Sequence, residues 1–207
     1  MNKLLLAAAV STAFTAGLTA PALAGQAGDF FARVGIANVA PNESSDVVAN
    51  TAELSIAGDT QLGLTLTYML TDNWAVELLA ATPFTHDVSV AGLGQVAEVT
   101  HLPPTLLAQY YFGDASADFR PYVGAGVNYT VFFEEEGVGA LDGTEVKVDN
   151  SFGYALQAGF DYKLNDQWSA NAAVWYINIE TDVHTAVGTV DTKINPTVAM
   201  LGLKYQF

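Results

Sequence analysis

From Gln61 to Leu70 the chain alternates without a break. Leu62, Leu64, Leu66 and Tyr68 occupy one parity, Gly63, Thr65, Thr67 and Met69 the other, and the run halts at Thr71-Asp72-Asn73. A period of two predicts a β-strand with one apolar face. The same pattern recurs in eight segments: 29–39, 61–70, 74–84, 101–112, 119–132, 151–162, 167–179 and 194–207. Each is about ten residues long, the length a tilted strand needs to cross a bilayer. The clearest is 151–162, where Phe152, Tyr154, Leu156, Ala158, Phe160 and Tyr162 share one face and Ser151, Gly153, Ala155, Gln157, Gly159 and Asp161 the other. The first face is aromatic at both ends and aliphatic between, the profile of a strand that meets hydrocarbon between two interfaces. A secreted β-sandwich, which would turn its apolar faces into a core, is the competing architecture.

The connections alternate in length. Thr71-Asp72-Asn73, 113–118 and 163–166 are short and rich in turn residues, whereas 40–60, 85–100, 133–150 and 180–193 are long. Short turns on one rim and long loops on the other predict an all-β fold, an eight-stranded antiparallel transmembrane β-barrel with periplasmic turns and extracellular loops. "TDNW" and "NDQW" each set a tryptophan just after a short turn, which places Trp74 and Trp168 at the periplasmic interface.

The start of the chain changes the picture of where it works. Lys3, an apolar run and Ala22-Leu23-Ala24 have the layout of a cleavable secretory signal, so residues 1–24 are expected to leave and 25–207 to form the barrel domain. There is no cysteine, so no disulfide is available to the exported chain. All 22 acids follow Gly25, and loss of Lys3 from the 7 bases leaves six, a mature net charge of −16. Binding to nucleic acid is excluded on that balance. Hydrophobic residues make up 51% of the chain, yet no later segment has the length of a membrane helix; alternating strands are where such residues go in a barrel.

If the apolar parity faces lipid, the other parity lines the lumen. Its charged members are Asp29, Arg33, Glu77, Arg120, Asp161 and Lys204, all within a few residues of the short-turn rim. Charges withdrawn from water must pair or be hydrogen-bonded, so they are expected to form a polar plug at the periplasmic end. Nearer the long loops the same parity carries Leu79, Ala81, Trp175, Ile177, Val198 and Met200. These either form an apolar pocket above the plug or simply fill a barrel that is only wide enough for side chains. Pro83 ends the third segment, and Pro103 and Pro104 open the fourth. Proline gives no N–H to a ladder, so these positions mark either a lateral opening between adjacent strands or the places where strands become loops.

Other residues carry less. Glu134-Glu135-Glu136, Asp142, Glu145 and Asp149 make the third long loop acidic, either as a solvated loop or as a place for divalent ions bridging lipopolysaccharide phosphates. His86, His101 and His184, with Asp87 and Asp182, show no metal-ligand spacing, and no GxSxG occurs. No metal, cofactor or catalytic residue is assigned. The rivals to a conduit are a lipid-acting barrel enzyme using His101 or His184 beside a hydroxyl and a carboxylate, and a structural or receptor barrel with a filled lumen.

The segments "QLGLTLTYMLTDNWAVELLAATPF" and "HLPPTLLAQYYFGDASADFRPYVGAGVNYTVFF" and the ending "LGLKYQF" resemble the OmpW family of small outer-membrane proteins. The resemblance covers 29–207 apart from loop tips. It implies an integral protein of a Gram-negative outer membrane, with lipid and lipopolysaccharide around it, that forms a narrow conduit for small hydrophobic solutes. It further implies that Leu79 and Trp175 form a hydrophobic constriction, and that Phe207 is the terminal signal met by the barrel-assembly machinery. The function expected is passive conduction through an apolar lumen pocket with a lateral exit into the bilayer.

Overall fold

A computed structural model of the chain describes residues 25–42, 44–45, 54–56, 58–81, 84–90, 94–139, 142, 144, 146–185 and 188–207. The leader at 1–24, Pro83 and Glu145 lie outside them. The strands are β1 (Phe30–Ala40), β2 (Ser44–Ser45), β3 (Leu54–Ile56), β4 (Asp59–Met69), β5 (Trp74–Ala81), β6 (Phe84–Val90), β7 (Gly94–Leu102), β8 (Thr105–Tyr111), β9 (Phe119–Gly137), β10 (Lys147–Val148), β11 (Ser151–Lys163), β12 (Trp168–Ile177), β13 (Glu180–Thr185), β14 (Gly188–Lys193) and β15 (Thr197–Gln206).

Eight of them close on themselves in the order β1-β4-β5-β8-β9-β11-β12-β15, with β15 returning to β1 and every pairing antiparallel. The apolar parity faces outward. Ile36, Leu62, Phe152, Leu156 and Leu201 are exposed, while Thr65, Thr67, Gln109 and Asn128 of the opposite parity are fully buried. A water-soluble sandwich would invert that distribution, so the sandwich alternative falls.

Both Trp-bearing turns are built alike. The Thr71 hydroxyl accepts from the backbone N–H of Trp74 at 2.9 Å, and Asn165 Oδ1 accepts from that of Trp168 at 2.9 Å. Each tryptophan then packs on a tyrosine of the next strand, Trp74 on Tyr110 and Trp168 on Tyr205, and Phe207 stacks on Phe30. The result is an aromatic girdle at the short-turn rim.

Above the barrel the strands continue in two places where the sequence pattern predicts loops. The segment 85–100 is largely the β6–β7 hairpin, and 180–193 is the β13–β14 hairpin, which with β10 and β2 makes a small separate sheet. β9 also runs on to Gly137, through Glu134-Glu135-Glu136, to pair with β7. The apolar signal of these segments is shorter and weaker than in the barrel strands: β6 sets His86 among Phe84, Val88 and Val90, and β13 has Val183 as its one aliphatic residue. The fourth predicted segment, 101–112, splits: Leu102 ends β7, and β8 starts at Thr105. Pro103 and Pro104 between them have no N–H with which to continue a ladder.

Glycines on the inner face make room for the large side chains that cross the lumen. A Cβ built on Gly159 would lie 2.7 Å from both Cζ and the hydroxyl of Tyr122, which is buried and accepts a 3.0 Å hydrogen bond from Asn171 Nδ2. Gly159→Val is therefore expected to destabilise the barrel by about 1–3 kcal/mol through overpacking. Denaturant unfolding in lipid vesicles would measure it.

Candidate functional site

The lower lumen is an ionic cluster drawn from five strands. Arg33 on β1 donates from Nη1 to Glu77 Oε2 (2.7 Å) on β5, and from Nε and Nη2 to Asp161 Oδ1 (3.1 Å) and Oδ2 (3.0 Å) on β11. Lys204 on β15 donates to the same Asp161 Oδ2 at 3.1 Å. Asn171 on β12 adds a 2.8 Å bond to Asp161 Oδ1. Two bases and two acids, all buried, make the cluster neutral in sum.

Uncharged groups complete it. Arg33 also donates to the Thr67 hydroxyl at 3.1 Å and the Tyr111 hydroxyl at 2.5 Å, and Tyr111 donates to Gln109 Oε1 at 3.1 Å. Gln109 donates to Gln157 Oε1, and Gln157 to Glu77 Oε1, each at 2.8 Å. The rings of Phe31 and Tyr122 lie 4.8 and 4.9 Å from the Arg33 guanidinium carbon. Fork geometry and a second ring of donors are what a buried charge needs to stay charged without water.

The other two residues expected in the plug bond to the rim, although Arg120 is itself buried with its guanidinium carbon 5.0 Å from the Tyr111 ring. Arg120 turns its fork to the rim, donating to the carbonyls of Gly25 (2.9 Å) and Asp72 (2.6 Å). Asp29 accepts from the backbone N–H groups of Gly25 and Gln26, both at 2.7 Å, in the turn that precedes β1. The structure thus brings Arg33, Glu77, Asp161 and Lys204 together and leaves Arg120 and Asp29 at the mouth.

Above the ionic floor lies a cavity lined by apolar side chains. Its volume is small, about 30 Å³, and Leu79, Trp175, Ile177, Val198 and Met200 all border it. Trp175, Ile177 and Met200 are almost completely buried, so side chains occupy much of the lumen at this level. Ala81 is described as far as its backbone pairing with Gly63. The same cavity also touches Ala37, Val39, Gly63, Ile179, Pro103 and Pro196. The inward parity of β1 would have found Ala37 and Val39, whereas Pro196 lies outside any strand and carries no such signal.

The wall beside this cavity is interrupted. The β5·β8 ladder ends at Leu79↔Thr105, while β4·β5 continues to Gly63↔Ala81. Among the described residues, the edge of β5 facing β8 therefore has no partner strand above Leu79. Pro103, which borders the cavity, and Pro104 stand at the height where that ladder stops. Pro104 is held instead from the other side, its carbonyl accepting from Tyr129 N–H at 3.1 Å.

One hydroxyl, one imidazole and one carboxylate do meet, though far from the lumen. His184 lies between the Thr189 hydroxyl (Nδ1 to Oγ1, 2.9 Å) and Asp149 (Nε2 to Oδ2, 3.0 Å). Lys147, His184 and Thr189 are cross-strand neighbours on β10, β13 and β14, so the ring stitches that small sheet together at a solvent-exposed surface. Activating a hydroxyl requires a dry site with donors aimed at the developing charge, which this surface does not supply. The hydrogen bond to His184 holds the Asp149 carboxyl below the usual aspartate range. A depressed folded value means that this contribution is present above the ordinary aspartate value of about 3.9 and is lost as pH falls through the lowered one. His184→Ala is expected to return the Asp149 midpoint to the ordinary range in a carboxyl NMR titration.

Comparison with known proteins gives a concordant picture. The family model described as "OmpW family" matches residues 26–207. Outer membrane protein W of Vibrio cholerae serotype O1 is 52% identical over 91% of this chain and 93% of its own length. Outer membrane protein W of Escherichia coli K12 is 44% identical over the whole of both chains. The crystal structure of the outer membrane protein OprG from Pseudomonas aeruginosa superposes with a TM-score of 0.84 at 43% identity, covering 89% of this chain and 98% of that one. Barrel closure, an outward apolar face and relatives named for the Gram-negative outer membrane place this protein there as an integral barrel. The chain belongs to the OmpW family.

Proposed function

We propose that the barrel passively conducts small apolar molecules across the outer leaflet and releases them sideways into the bilayer. The solute enters from the loop side, rests in the cavity at Leu79 and Trp175, and leaves where the β5·β8 ladder stops. The observation that carries this reading is the arrangement of three features: an apolar cavity, an ionic floor beneath it and a break in the wall beside it at Pro103. A solute that cannot pass the hydrogen-bonded floor has the break as its remaining way out.

The driving force is burial. Apolar surface removed from water is stabilised by roughly 25 cal/mol for each Å², so an apolar slot replaces the barrier that a polar lipopolysaccharide layer raises. An unpaired backbone edge is costly in lipid, and a break lined by proline, which has fewer N–H groups to leave unsatisfied, reduces that cost. The cavity is only about 30 Å³ and the buried Trp175 ring borders it, so conduction requires that ring to swing aside; the resulting affinity is low and the selectivity broad.

The test is to restore the wall. Pro103→Val combined with Pro104→Val returns two backbone donors beside β5 and allows the ladder to extend. Uptake of an apolar solute into cells or proteoliposomes is expected to fall severalfold while the barrel still shows its folded, heat-modifiable mobility on gels. Uptake equal to the parent protein, with folding intact, counts against the lateral route.

A further inference from the structure

The cavity is apolar in its walls, and two buried polar atoms without partners lie beside it. The indole N–H of Trp175 is fully buried and has no hydrogen-bond partner among the described residues, and the same holds for the hydroxyl of Thr65. Trp175 borders the cavity. Thr65 sits on β4 between Gly63, which borders it too, and Thr67, which belongs to the ionic network. These unmatched groups lie in the lumen where the apolar section gives way to the floor.

A buried indole N–H normally finds a partner, and leaving it without one is unfavourable. An alkane in the cavity would leave it so. A molecule of similar length ending in an oxygen acceptor would relieve the penalty while its tail covers Leu79, Ile177 and Val198. The floor below is neutral in sum, each of its two carboxylates already being paired with a base, so no net positive charge remains there to compensate a full negative charge. Indole can only donate, so a ligand that only donates gains nothing from it.

We propose that the preferred solutes are neutral apolar molecules carrying a single hydrogen-bond acceptor, such as a ketone, ester or ether oxygen, which binds head-down on the Trp175 N–H with Thr65 as a second contact. This inference deepens the conduit reading and rests on it.

The test compares n-octane with 2-octanone on the protein in lipid bilayers. In indole ¹⁵N NMR, the Trp175 resonance, assigned by its loss in Trp175→Phe, is expected to move downfield with 2-octanone and to stay in place with n-octane. In proteoliposomes, the ratio of ketone to alkane flux, each corrected for protein-free vesicles, is expected to fall about five- to tenfold in Trp175→Phe, the size of one hydrogen bond. Thr65→Val, which keeps the ring, is expected to lower the ratio less. An indole that moves equally with both solutes or with neither, or a ratio unchanged in both variants, overturns the preference and leaves the conduit standing. If neither solute crosses faster than in protein-free vesicles, the conduit reading itself fails and this inference with it.

Discussion

Replacing Arg33 with methionine is expected to lower the stability of the barrel by about 3–5 kcal/mol, because it strands two buried carboxylates that the guanidinium now bridges. Glu77 would keep only uncharged donors, Gln157 and Thr67, and Asp161 would keep Lys204 and Asn171. The magnitude is that of breaking a buried pair, not the net worth of the pair. Removing the whole charged set separates the two. Arg33→Met combined with Glu77→Gln, Asp161→Asn and Lys204→Met is expected to recover most of the loss, since neutral partners carry far smaller desolvation penalties. Reversible denaturant unfolding in lipid vesicles measures both, and a single variant as stable as the parent would mean that the floor is not a closed ionic network.

The second large effect concerns transport. Trp175→Asp places a carboxylate among Leu79, Val198 and Met200, where apolar surface is now offered to the solute. Uptake of an apolar compound is expected to fall by roughly an order of magnitude or more, because a charge in that position holds water that the solute must displace. The lost ring also leaves a wider lumen, so small-ion leak in planar bilayers is expected to rise as apolar uptake falls. Opposite changes in two fluxes exclude simple misfolding, which would lower both. If apolar uptake survived in a folded variant, the cavity would not be on the route.

How much of this was legible in the sequence differs by element. The eight barrel strands were legible because lipid on one side and a packed lumen on the other impose strict alternation, as in 61–70 and 151–162. The β6–β7 and β13–β14 hairpins were not, since burial there does not follow parity or polarity: Val96, Ala97, Val99 and Thr100 of β7 are all buried, and so are Thr181 and Thr192. Within the lumen, Arg33, Glu77, Asp161 and Lys204 stood out as charges on the inward parity, and they meet. Gln109 and Gln157 share their network and also lie on the inward parity, whereas Tyr111 and Tyr122 gave no signal, because an aromatic residue fits either face. Arg120 and Asp29 show the limit of parity. Both have the right register, yet backbone groups of the rim capture them first: carbonyls take the Arg120 fork, and amides take the Asp29 carboxylate. The proline break needed both levels, a missing N–H from the sequence and the end of a specific ladder from the structure.

The path of the solute is the central claim, and photolabelling traces it most directly. An apolar solute carrying a diazirine, equilibrated with the protein in bilayers and irradiated, should attach to Leu79, Trp175, Val198 and Pro103 and spare Arg33, Glu77 and Lys204. Adducts on those three floor residues, with Pro103 unlabelled, would contradict it, because the solute would then be passing straight down the barrel.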